Sequence, residues 1–131
     1  MEETLGSGMG IAELAYLGDA VLELMVREHL VRSGVVGAGR LNSLSRDFVT
    51  AASQSKALEN ILPLLTEEEE ALFRRARNYS KASVPKSAAV VDYRRATGLE
   101  ALFAALYLDG KSERTSFLFR NAYGISDKTD G

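Results

Sequence analysis

Apolar positions recur at spacings of three and four along almost the whole chain. Ile11, Leu14, Tyr16, Leu17, Val21, Leu22, Met25, Val26 and Leu30 predict one long helix over 10–33, ending at Gly34. VVGAG (35–39) reads as a turn. Leu41, Leu44, Phe48 and Ala52, then Ala57, Leu58, Ile61 and Leu62, describe one or two helices between 40 and 64, stopped by Pro63. Thr66 followed by Glu67 to Glu70 has the form of an N-cap with a capping box and an acidic first turn. That helix should reach about Tyr79. SKASVPKSAA (80–89) is small, polar and basic with Pro85 inside it, and reads as a loop. A strong helix follows over about 90–108, with Leu99, Leu102, Phe103, Leu106 and Tyr107 as its apolar face. Asp109-Gly110 is a turn, and 112–123 a last short helix. Tyr16, Phe103 and Tyr107 are expected in the core. No strand pattern stands out. The expected fold is all-α, one helical bundle over 1–131 with flexible ends at 1–9 and 124–131.

Two acids disturb this pattern. Asp19 lies inside LAYLGDAVLEL (14–24), next to Gly18, and Glu100 lies inside GLEALFAALYL, close to Gly98. Glycine inside a helix costs about 1 kcal/mol relative to alanine. A buried carboxylate costs several kcal/mol unless something pairs with it. Small residues let helices approach closely, so these two stretches could bring Asp19 and Glu100 face to face. Like charges that close leave one carboxyl protonated unless a cation sits between them. The bland reading is that each acid is solvated or paired with a basic neighbour.

Composition narrows the choice of cation. The chain has no cysteine and a single histidine, His29, which excludes disulfides, thiolate metal sites and multi-histidine sites. A hard ion with oxygen ligands remains, and magnesium commonly uses one or two carboxylates plus water and substrate phosphate. No apolar run reaches the roughly 18 residues of a membrane span. The acidic start MEETLGSGMG has no signal-peptide core, so a cytoplasmic protein is expected.

The formal net charge of −2 conceals a basic segment. Residues 74–95 carry Arg74, Arg75, Arg77, Lys81, Lys86, Arg94 and Arg95 against one acid, Asp92. Such a segment is either a solvated loop or a surface for nucleic-acid phosphates.

LAYLGDAVLEL resembles the signature helix of the ribonuclease III endonuclease domain, built around Leu-Gly-Asp-Ala/Ser. ATGLEALFAALYLDG (96–110) resembles that family's later acidic helix, and the order and separation of the two also match. RARNYSKASVPK with Tyr93-Arg94 is similar to the stretch ahead of that helix in the compact Mini-ribonuclease III subfamily. The resemblance covers roughly 10–123, and no double-stranded-RNA-binding domain is expected beyond it. It implies a ribonuclease III-like helical bundle and a homodimer that cuts double-stranded RNA with Mg2+. For the compact subfamily it implies trimming of the large-subunit (23S) ribosomal RNA precursor. It carries Asp19 and Glu100 over as catalytic metal ligands. Two further family acids are replaced, by Ala15 four residues before Asp19 and by Thr97 three before Glu100. Ligand loss is how such enzymes fall silent, so a non-catalytic RNA- or ribosome-binding module on the same fold is the rival reading.

In the enzymatic reading, magnesium lowers the pKa of a bound water and neutralises phosphate charge. No side-chain nucleophile is needed. The seven basic residues contact RNA, which as a duplex is read through phosphates and 2′-hydroxyls. Glu67 to Glu70 could also hold magnesium, as in all-helical nucleotide pyrophosphohydrolases, but an acidic first turn explains the run. Glu23 could join a metal site, yet it stands four residues before Arg27 in the favourable order for an ion pair. His29 is expected at the surface.

Overall fold

The computed structural model describes residues 5, 6, 8–79 and 89–126. Helix α1 spans Ile11–Arg32, α2 Ala38–Val49, α3 Ala51–Ile61, α4 Glu67–Arg77, α5 Val90–Leu108 and α6 Ser112–Tyr123, with a 3-10 turn at Leu62–Leu64. Among the described residues there is no strand.

The capping signals work as read. Thr66 Oγ1 accepts from the Glu69 N–H at 3.1 Å, and the Thr66 N–H donates to Glu69 Oε1 at 2.9 Å, a complete capping box for α4. Helix α1 ends where expected. Gly34 takes φ +88°, and the N–H groups of Gly34 and Val35 bond back to Val31 and Leu30, a Schellman closure. Two boundaries differ from the pattern. Ala38 and Gly39, expected in a turn, already belong to α2. The stretch 40–64 breaks at Thr50, whose hydroxyl caps α3 by accepting from the Ser53 N–H at 3.1 Å. The expected loop falls on 80–88, outside the described residues.

Helix α5 is the axis of the molecule. It packs against α1 most extensively, then against α3 and α4. From Ala96 to Leu106 every residue is buried except Glu100. A helix apolar all round belongs in the centre of a core. Leu14, Leu22, Val26, Leu58, Ile61, Leu72, Phe73, Leu118 and Phe119 close around it. Gly98 is what lets α4 in, because a Cβ there would overlap the Phe73 ring.

Three expectations are corrected. Phe103 is buried, but Tyr16 and Tyr107 are 85% and 56% exposed, so neither is core. The inward face of α1 carries Leu14, Gly18, Val21, Leu22 and Val26, and Tyr16 points away from it. Leu5 is buried, and its N–H donates to Glu68 Oε2 at 2.9 Å. His29 is half-buried, its ring 6.0 Å from that of Phe48.

Candidate active site

The two odd acids meet where α1 crosses α5. At the crossing Gly18 lies directly on the α5 backbone, and a Cβ on it would overlap the Glu100 carbonyl. The glycine thus sets the helix separation, and the next residue, Asp19, is delivered beside the Glu100 side chain. The two carboxyls hydrogen-bond one another. Asp19 is exposed, whereas Glu100 is mostly buried.

Burial pushes the Glu100 carboxyl up from its ordinary 4.5 to about 8. The negative charge of Asp19 and the hydrogen bond between them push the same way, and a hydrogen bond from Gln54 opposes. At neutral pH Glu100 therefore keeps its proton. A divalent cation would replace that proton. Among the described residues no third Asp, Glu or His joins the pair in a metal-ligating cluster. Ala15 and Thr97 stand where the resemblance expects more acids, and Thr97 turns its hydroxyl to donate to the Tyr93 carbonyl at 3.1 Å. Glu23 pairs with Arg27 at 3.2 Å, as its spacing predicts.

On its other side Glu100 faces a groove between α5 and the α2–α3 junction. Thr50, Gln54, Asp92, Tyr93 and Thr97 line it with Glu100. Tyr123 braces this region. Its hydroxyl donates to the Phe48 carbonyl at 3.0 Å, and its ring lies 5.2 Å from both Phe48 and Phe119. Burial, then the nearby charge of Glu100, pushes the Tyr123 phenol up to about 12, so it stays a donor.

The basic residues fall on a different face. Arg77, Arg94 and Arg95 line a groove between α4 and the start of α5, with Phe73, Val90 and Val91. Arg77 stacks on Phe73 at 5.5 Å. Arg74 is tied to Glu70 at 3.0 Å, and Arg95 to Glu59 at 3.7 Å. Among the described residues Arg75 and Arg94 have no acidic partner within ion-pair distance, and Lys81 and Lys86 lie outside the described residues.

Sequence reasoning missed Gln54 and the Glu69–Arg114 pair. Gln54 carries the same signal that exposed Asp19. It stands in line with Leu58 and Ile61 on an apolar stripe, four and seven residues before them. The Glu69–Arg114 pair is 45 residues apart in sequence and has no local signal.

Comparison with known proteins matches residues 12–111 to the Ribonuclease III domain. The chain belongs to the ribonuclease III family. It is 40% identical over 112 residues to Mini-ribonuclease 3 of Brevibacillus brevis, covering 86% of this chain and 84% of the relative. It is 45% identical over 111 residues to Mini-ribonuclease 3 of Desulfitobacterium hafniense, covering 85% and 70%. A crystal structure of a Fusobacterium nucleatum protein superimposes with a TM-score of 0.79 at 32% identity, over 90% of this chain and 94% of that one. These relatives place the chain with the Mini-ribonuclease III subfamily and make it an endoribonuclease on a ribonuclease III fold. Among the described residues no helix is long and apolar enough to cross a membrane.

Proposed function

We propose that the chain cuts both strands of double-stranded RNA with a magnesium ion held between Asp19 and Glu100. The observation that carries this reading is the contact between the two carboxyls at the α1–α5 crossing. Two carboxylates, with the remaining coordination left to water and phosphate, match magnesium's habits. Bound there, the ion would lower the pKa of a water and neutralise charge on the scissile phosphate. Asp19, open to solvent, and Glu100, anchored in the core, fix the position of the charge. Glu100 gives up its proton on binding. Ala15 and Thr97 leave the places of two family acids to water or to RNA oxygens.

Arg74, Arg75, Arg77, Lys81, Lys86, Arg94 and Arg95 supply phosphate contacts whose affinity falls steeply with salt. A homodimer fits the exposed apolar line of Tyr16, Leu24 and Val31 along α1, which is the kind of surface that marks an interface. Two-fold symmetry then presents two sites to one duplex. The resemblance to Mini-ribonuclease III points to the 23S ribosomal RNA precursor as substrate, in the cytoplasm. Incubation with a duplex RNA at low salt, with Mg2+ or with a chelator, tests the reading. Both strands should be cut only with the metal, and Asp19→Asn should bind the duplex without cutting it. Cleavage by Asp19→Asn at the normal rate would overturn the assignment.

A further inference from the structure

Gln54 is a buried polar residue of the site that neither the resemblance nor the proposed chemistry uses. It is 2% exposed, on the second turn of α3. Of the buried positions after it, Ala57, Leu58 and Ile61 are apolar and Ser55 is small. A leucine there would continue the stripe, so a buried carboxamide calls for a partner that repays its desolvation. That partner is Glu100, whose carboxylate accepts a hydrogen bond from the Gln54 side chain. Both line the groove at the α2–α3 junction together with Thr97. The backbone that carries Gln54 is held by the Thr50 cap, where the Thr50 hydroxyl accepts from Ser53.

We propose that Gln54 is a positioning residue that fixes the rotation of the Glu100 carboxylate so that one oxygen is presented beside Asp19. The inference rests on the metal reading of that pair given above. Glu100 reaches the site on a flexible three-torsion side chain. Asp19 constrains it from the solvent side, and Gln54 is the amide that constrains it from the core. One carboxylate oxygen engaged by the amide leaves the other free for a cation. Groups that hydrogen-bond metal ligands typically change metal affinity or activity by about 10–100-fold when removed.

Gln54→Met tests this, since methionine keeps the length and volume and removes the amide. Mn2+ serves as the probe, with free ion counted by its electron paramagnetic resonance. Affinity for Mn2+ should fall at least about tenfold, within the range such groups command. The Mg2+ concentration for half-maximal cleavage should rise in step, while duplex RNA binding in chelator stays unchanged. Unaltered Mn2+ affinity in Gln54→Met, alongside lost affinity in Asp19→Asn, would overturn the role of Gln54 and leave the metal site standing. Unaltered affinity in both would overturn the site and this inference with it. Should Gln54→Met fail to fold, the native protein decides. The side-chain amide resonances of Gln54 should shift on Mg2+ titration with the midpoint seen in cleavage. Resonances that stay still would overturn the proposal.

Discussion

Glu69 and Glu100 are both glutamates drawn into the protein from a helix, and their surroundings treat them in opposite ways. Burial raises the Glu69 carboxyl, but hydrogen bonds from Arg114, the Thr66 backbone N–H and the charge of Arg114 together outweigh it, so the group sits below its ordinary 4.5. Arg114 grips both oxygens, Nε to Oε2 at 2.9 Å and a terminal nitrogen to Oε1 at 2.7 Å. The same terminal nitrogen also reaches the Leu64 carbonyl at 2.8 Å. Among the described residues Glu100 is met by no cation, only by a second carboxyl and an amide, and it stands at about 8. The first arrangement is complete and ties α6 to the start of α4. The second sets one carboxyl against another at the α1–α5 crossing, the repulsion that the proposed magnesium ion would relieve. Carboxyls raised by burial and a neighbouring like charge in a cleft are candidates for functional sites.

The largest effect should separate activity from stability at the two places. Glu100→Gln should lower the cleavage rate by about 10²-fold or more, as loss of a preorganised charge-stabilising group does, while raising the melting temperature of the metal-free protein. Arg114→Met should do the reverse. It strands Glu69, whose side chain is 6% exposed. Breaking a buried pair costs 3–5 kcal/mol, and partial exposure of Arg114 puts this one at about 3 kcal/mol. Its cleavage rate per folded molecule should be unchanged at low temperature. Denaturant unfolding and single-turnover cleavage on both variants check the crossover.

Gly18→Ala comes next. The added methyl meets the α5 backbone, which cannot step aside as a side chain would. Overpacking of this kind costs about 1–3 kcal/mol. Because it pushes Asp19 away from Glu100, cleavage should fall by more than the loss of folded protein explains. Cleavage that simply tracks stability would mean that Gly18 packs the core and nothing more.

The pH dependence of stability carries opposite signs at the two glutamates. Below pH 4.5 Glu100 is protonated folded and unfolded alike. Between 4.5 and about 8 the folded chain keeps a proton that the unfolded chain has lost, so Glu100 makes the metal-free protein less stable as pH rises through that window. Glu69, lowered when folded, stabilises above 4.5 and loses that contribution as pH falls through its folded value. Melting curves from pH 5 to 8 should therefore fall in chelator, flatten in Glu100→Gln, and recover in Mg2+, with the recovery largest near pH 8. A falling curve that Mg2+ leaves unmoved would break the contrast between the two sites.

What was legible in the chain follows from distance along it. Local signals held, including the Thr66 capping box, the stop at Gly34 and the ion pair Glu23–Arg27. The paired oddities of Gly18-Asp19 and Gly98/Glu100 led to the α1–α5 crossing because each helix carried its own anomaly. Tyr16 was misplaced because α1 is apolar on two faces. One packs on α5, and the other, with Leu24 and Val31, faces outward. Periodicity cannot tell a core face from an exposed one when both are apolar. The Glu69–Arg114 pair was hidden for another reason. Glu69 already had a sufficient local explanation in its capping box, and its partner lies two helices away.

Diffraction from crystals soaked in Mn2+ tests the central claim most directly, because manganese scatters anomalously and accepts magnesium's oxygen ligands. An anomalous peak about 2.1 Å from carboxylate oxygens of both Asp19 and Glu100 is the predicted result. A fully soaked crystal with no peak between those two side chains, or with its manganese held by other residues, would contradict it.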